Sequence, residues 1–225
     1  MHPPALLVWT LALAPIANRE PSKEAKRLDA CREVVEELAG IKEGIPHDLF
    51  AKAVCVAVIP GVKKAAIGLG GRFGFGAASC RRGDDRAWGP PLMIEFKGGS
   101  FGLQVGGQET DVALLFMNQK GVEYLLRNKF TLGTDAAIAV GPVGRAAEAA
   151  TDIQMRAEIL SYSRSRGLFA GIALEGTSLK QDEKENRVLY GPLVNPRDLL
   201  LKSGRSTPAP ARGFVGALQR LAPAQ

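Results

Sequence analysis

Residues 59–80, IPGVKKAAIGLGGRFGFGAASC, constrain the fold of this chain more than any other stretch. Gly61 follows Pro60 in a turn-like pair, and Gly68, Gly70, Gly71, Gly74 and Gly76 follow within fifteen residues of it. Most of these glycines stand two apart, the repeat of a β-strand, in which alternate side chains share a face. A strand face made of Gly68, Gly70, Gly74 and Gly76 carries no side chains. A neighbouring backbone, an aromatic ring or a ligand must therefore lie close against it. Nucleotide-binding patterns do not account for the run. GxxxxGK[ST] is absent, and GxGxxG fails because Phe73 and Ser79 stand where its last glycine belongs.

The flanking sequence sets the fold class. Residues 22–40 carry Ala25, Leu28, Cys31, Val34, Val35 and Leu38 at helical spacing, with Gly40 as the stop. The polar face of this helix starts basic (Lys23, Lys26, Arg27, Arg32) and ends acidic (Glu33, Glu36, Glu37). Its charges therefore run against the helix dipole. Residues 54–59 are a continuous apolar run that predicts a buried strand ending at Pro60-Gly61. Leu92, Ile94 and Phe96 alternate with polar residues, Gly98-Gly99 predicts a turn, and Phe101, Leu103 and Val105 begin the next strand. Residues 112–117 then complete a meander. Residues 119–128 read as a short helix and 130–140 as strand. Residues 158–163 and 168–174 read as a hairpin tipped by Arg164, Ser165, Arg166 and Gly167. Two further helices are expected, at 182–190 and along Phe214, Val215, Leu218 and Leu221. The sum is an α+β fold: one antiparallel, glycine-rich sheet or half-barrel with flanking N- and C-terminal helices.

Composition bounds the function. The 225 residues suffice for one domain with appendages, and the net charge is +6. From residue 191 onward there are five basic residues and one acidic, so the remainder carries only +2. No basic stripe with interleaved aromatics marks a nucleic-acid interface. With two histidines and no HExxH, GxSxG or CxxC, nothing indicates an enzyme, a metal site or a cofactor. Residues 5–17, ALLVWTLALAPIA, are uncharged and apolar, too short to span a bilayer and matched to a signal-peptide core. This predicts a signal over residues 1–20 and export to a periplasmic or envelope location; the other reading is a structural N-terminal segment. Residues 21–191 then form the domain, and 192–225 a tail whose terminal helix packs on it. Of three cysteines, Cys55 and Cys80 fall in successive strand-like segments and are the better disulfide pair in an oxidising compartment. Three buried free thiols are the alternative.

Four segments in order, IPGVKKAAIGLGGRFGFG, WGPPLMIEFKGGSFGLQVGGQETDVALLFMN, KFTLGTDAAIAVGPVGR and AEILSYSRSRGLFAGIALEG, resemble the SYLF domain family over residues 27–191. The resemblance implies a lipid-binding domain without catalysis. Eukaryotic relatives bind phosphoinositides, and some bind actin. An N-terminal amphipathic helix contributes to membrane contact in them, and residues 22–40 are the matching segment here. The export-like N-terminus resembles the bacterial branch. Cations presented together are what an anionic head group requires. The candidates are Lys63, Lys64 and Arg72 around the glycine strand, Arg145 after Gly-Pro-Val-Gly, and Arg164 and Arg166 at the hairpin. The expected partner is an anionic lipid or membrane surface. A protein-interaction or self-associating module is the alternative.

Overall fold

The computed structural model describes residues 20–40, 45–67, 69–83, 86–101, 108–143, 157–165, 168–202 and 204–223. Helices α1 (Lys23–Gly40) and α2 (His47–Lys52) precede strands β1 (Cys55–Ile67), β2 (Leu69–Arg82), β3 (Ala87–Trp88), β4 (Leu92–Phe101) and β5 (Gln108–Phe116). Next come α3 (Gln119–Leu125), β6 (Lys129–Thr131), β7 (Ile138–Val140), β8 (Ile159–Ser165), β9 (Leu168–Gly171) and β10 (Thr177–Gln181). Helices α4 (Glu183–Tyr190), α5 (Pro196–Leu201) and α6 (Arg212–Leu221) close the chain. The strands form one strongly curled sheet in the order β6-β10-β4-β2-β1-β5-β8-β7, with β3 on β2 and β9 on β8. The β7–β8 pair is parallel. This is the expected α+β half-barrel. The path is not a simple meander, because β10 returns to pair with both β4 and β6.

Strand β1 explains the continuous apolar run. Cys55, Ala57 and Ile59 face one core cluster, while Val56 and Val58 face the other. A strand covered on both faces has no solvent side to mark with polar residues. On one face, Leu28, Cys31, Val34 and Val35 of α1 and Phe214, Ala217 and Leu218 of α6 pack over Val56, Val58, Ala77 and Leu115. On the other, α3 and α5 contribute Val122, Leu125, Leu199 and Leu200 to the cluster around Ile59, Ile94 and Phe116.

At Gly74 and Gly76 the bare glycine face is filled by neighbouring chain. A Cβ on Gly76 would stand 2.0 Å from the Val58 carbonyl oxygen, and one on Gly74 would stand 2.7 Å from Ile59 Cγ2. These glycines let β1 press onto β2 where its register shifts between Val58 and Lys63. The expectation that Pro60-Gly61 ends the strand is corrected here. The pair forms a β-bulge inside β1, which continues to Ile67. Gly61 takes φ +54°, and its N–H donates to Asp111 Oδ1 at 2.8 Å. A bulge accommodates a proline within a sheet because one residue drops out of the ladder.

Two other expectations change. Gly98-Gly99 is not a turn but lies within β4. Thr177 of β10 presses on Gly98, where a Cβ would come within 2.6 Å of the threonine Oγ1. Residues 130–140 do not form one strand. They split into β6 and β7 around a turn in which Gly133 takes φ +79° and the Thr131 N–H donates to Asp135 Oδ2 at 2.6 Å. Cys55 and Cys80 stand opposite each other in the β1–β2 register, with Cα atoms 4.0 Å apart and sulfurs bonded. Cys31 is a buried free thiol against the Val58 carbonyl, and burial pushes its pKa up to about 12.

Candidate docking surface

The cations named from sequence fall on both faces of the sheet. Lys63 and Lys64 are consecutive in β1, so they point in opposite directions. Lys63 stands opposite Phe73 of β2 and Glu109 of β5, on the face that carries α1, and its Nζ lies 3.6 Å from Glu109 Oε1. Lys64 stands opposite Arg72 on the other face. Arg72 is half-buried. Its Nη1 donates to the Ala173 carbonyl at 3.3 Å, its buried Nε has no hydrogen-bond partner, and burial lowers its pKa.

Arg164 is engaged within the fold. Its Nε and Nη2 donate to Asp111 Oδ2 at 2.8 and 2.5 Å, and Nη1 pairs with Glu37 of α1. The same aspartate holds the Gly61 amide, so Arg164 ties the bulge, β8 and the end of α1 together. Burial raises the Asp111 pKa. Arg145 and Arg166 lie outside the described residues. Of the four described candidates, only Lys64 and Arg72 are brought side by side.

Helix α1 is committed to the core. Its apolar stripe is buried under α6 and against the sheet. Its reversed charge pattern has a tertiary explanation. The basic first turns meet the acidic start of α4, where Arg27 Nη1 donates to Asp182 Oδ2 and Lys23 Nζ to Glu185 Oε1, each at 2.8 Å. The Arg27–Asp182 pair is buried, with each side chain 7% exposed. Glu24 lies beside it, and hydrogen bonding with the Glu185 side chain, its own backbone and Ser22 lowers its carboxyl to about 2.

Beyond the start of α1 the same sheet face opens. Phe73 and Phe75 stand there 46% and 37% exposed. Lys23 Nζ and Arg27 Cζ sit 5.8 and 4.9 Å from the centroid of the Phe75 ring. Lys63 and Lys97 flank Phe73 in register, and Glu95 flanks Phe75 and accepts from Lys97 Nζ at 2.7 Å. Gly71 and Gly99 continue the face as a shelf without side chains. The sequence reading singled out the glycines and missed these rings. The signal was present in RFGFGA, where Phe73 and Phe75 alternate with Gly74 and Gly76 and so occupy the opposite face of the same strand.

Among the described residues, no His, Cys, Asp and Glu group is arranged to hold a metal ion, and no helix is long and apolar enough to cross a membrane. Fold and surface together define an α+β half-barrel that presents exposed aromatic rings within a charged rim. The profile of the Ysc84 family, described as "Las17-binding protein actin regulator", matches residues 97–221. The chain belongs to the Ysc84 (SYLF) family. It is 32% identical over 200 residues to LAS seventeen-binding protein 3 of Saccharomyces cerevisiae, covering 88% of this chain and 43% of that protein. It is 31% identical over 201 residues to the human SH3 domain-containing YSC84-like protein 1, covering 88% of this chain and 57% of the relative. The chain thus spans about half the length of these curated relatives.

Proposed function

We propose that this domain is a non-enzymatic interaction module that docks a protein partner on the sheet face around Phe73 and Phe75. The observation that carries this reading is the pair of exposed rings in a sheet whose neighbouring rows are covered by helices. Aromatic anchors ringed by polar groups are the usual anatomy of a protein-binding hot spot. The rim supports a protein over a membrane. Lys23, Lys63 and Lys97 each already have a carboxylate partner, which weakens a purely electrostatic pull toward anionic lipid. The name of the yeast relative, which speaks of binding Las17, points the same way. The test is chemical cross-linking in the native host, comparing the wild-type chain with Phe73→Ser/Phe75→Ser. A partner lost with the rings supports the reading, and an unchanged set of cross-links refutes it.

A second reading, association with anionic lipid head groups at an envelope surface, is favoured by Lys64 standing opposite Arg72. Like charges placed directly across strands destabilise each other unless an anion lies between them. Liposome co-sedimentation at low salt tests it. Pelleting that fails with Lys64→Glu/Arg72→Gln supports this second reading, and absence of pelleting with any anionic lipid removes it. Export directed by residues 5–17 belongs to this reading. Fractionation of a C-terminally tagged chain checks it.

A further inference from the structure

The row of residues that crosses the sheet at Phe75 is asymmetric. Phe75 on β2 pairs with Glu95 on β4, Glu95 with Lys180 on β10, and Lys180 with Lys129 on β6. Residues paired directly across strands share a face, so all four line the surface already described. Glu95 is taken by Lys97. Lys180 and Lys129 are exposed, stand opposite each other, and have no ion pair among the described residues. Two like charges in register repel, and a carboxylate from outside the domain relieves that repulsion.

We propose that the docking surface accepts an acidic amphipathic helix lying across the strands, its apolar face on Phe73 and Phe75 and its carboxylates on Lys180 and Lys129. The inference rests on the protein-docking reading above and specifies the partner's chemistry. Strands are spaced about 4.8 Å apart, which puts Lys180 about 10 Å and Lys129 about 14 Å from Phe75. A helix rises 1.5 Å per residue, so acids about seven and ten positions beyond an apolar anchor reach the two lysines. The partner helix continues the layer that α1 and α6 form over the adjacent part of the face. The shelf at Gly71 and Gly99, where an added Cβ meets little or nothing within 4 Å, leaves room for its backbone.

The probe is a synthetic helical peptide with leucines on one face and glutamates seven and ten residues beyond the anchor leucine. A second peptide carries lysines at those two positions. Fluorescence anisotropy with the full chain should show the acidic peptide binding at least tenfold more tightly. Lys129→Glu/Lys180→Glu, at exposed positions, should reverse that preference, and Phe73→Ser/Phe75→Ser should abolish binding of both. Equal binding of the two peptides, or no effect of charge reversal, overturns the inference. Ring-dependent binding to phosphatidylserine vesicles with neither peptide bound overturns it as well. Loss of cross-linked partners in the Phe73→Ser/Phe75→Ser chain, without charge dependence here, would leave the docking reading standing and remove only the acidic helix.

Discussion

Gly76→Ala is the sharpest test of how the glycine strand is used. The added methyl would stand 2.0 Å from the Val58 carbonyl oxygen and 2.9 Å from both Val58 C and Ile59 Cα. All three atoms are backbone of β1 at its bulge, held on the far side by the ladder to β5, so none can yield as a side-chain end would. Overpacking costs about 1–3 kcal/mol where side chains can adjust, and a clash confined to backbone belongs at or above the top of that range, about 3 kcal/mol. For a chain of this size that lowers Tm by about 6–12 °C. Gly74→Ala meets Ile59 Cγ2 at 2.7 Å, a side-chain atom that can move, and should cost less, about 1–2 kcal/mol. Gly99→Ala meets nothing within 4 Å and should gain about 0.5 kcal/mol, because alanine has less backbone freedom to lose. Urea denaturation of the three variants gives the ranking. Gly76→Ala within 1 kcal/mol of wild type, or no worse than Gly99→Ala, would refute close approach of β1 as the reason for the glycines.

Arg27→Met leaves the buried Asp182 charge without its cationic partner and should cost about 3–5 kcal/mol, while Arg27→Met/Asp182→Asn, which removes the charge and keeps the α4 cap to the Glu185 N–H, should recover most of it; chemical denaturation measures both. Alkylation of the unfolded, unreduced chain should add one label, at Cys31, and removing the Cys55–Cys80 bond across its 25-residue separation should cost about 3.5 kcal/mol. Three labels would refute the bond. Stability should fall on acidification. The Glu24 carboxyl is lowered from 4.5 to about 2, so its contribution is present above the unfolded value and is lost as pH drops through about 4.5 toward 2. Glu158 adds to this in the same direction: burial raises its carboxyl, but Lys120 and the Ala137 amide outweigh that and hold it below its ordinary value. Thermal melts from pH 6 to 2 should show the loss, and Glu24→Gln should flatten it. Arg164→Ala should destabilise the fold by about 2–3 kcal/mol, since it leaves half-buried Asp111 without its charged partner.

Local pattern determined most of the element list. Helical spacing placed α1 and α6, and two-residue alternation placed β4, because both periodicities follow from backbone geometry alone. The errors came where a distant segment intervenes. Pro60-Gly61 and Gly98-Gly99 carry the local signature of turns, yet Asp111 captures the Gly61 amide and Thr177 packs over Gly98, and both pairs stay in strands. Which cations stand together was illegible for the same reason. Nothing near Arg164 in sequence shows that Asp111 and Glu37 will claim it.

By itself, residues 59–80 determined that a strand with one bare face must lie against something, because glycine spacing specifies the shape of that face without reference to the rest of the chain. Family membership was legible in the same residues. Tertiary structure alone decided what fills the face, which cations are engaged, and that the two rings on the opposite face stay exposed. Those outcomes depend on register between strands far apart in sequence. A shift of one residue there exchanges the buried and exposed faces, so pairing determines whether Phe73 and Phe75 join the core or meet a partner.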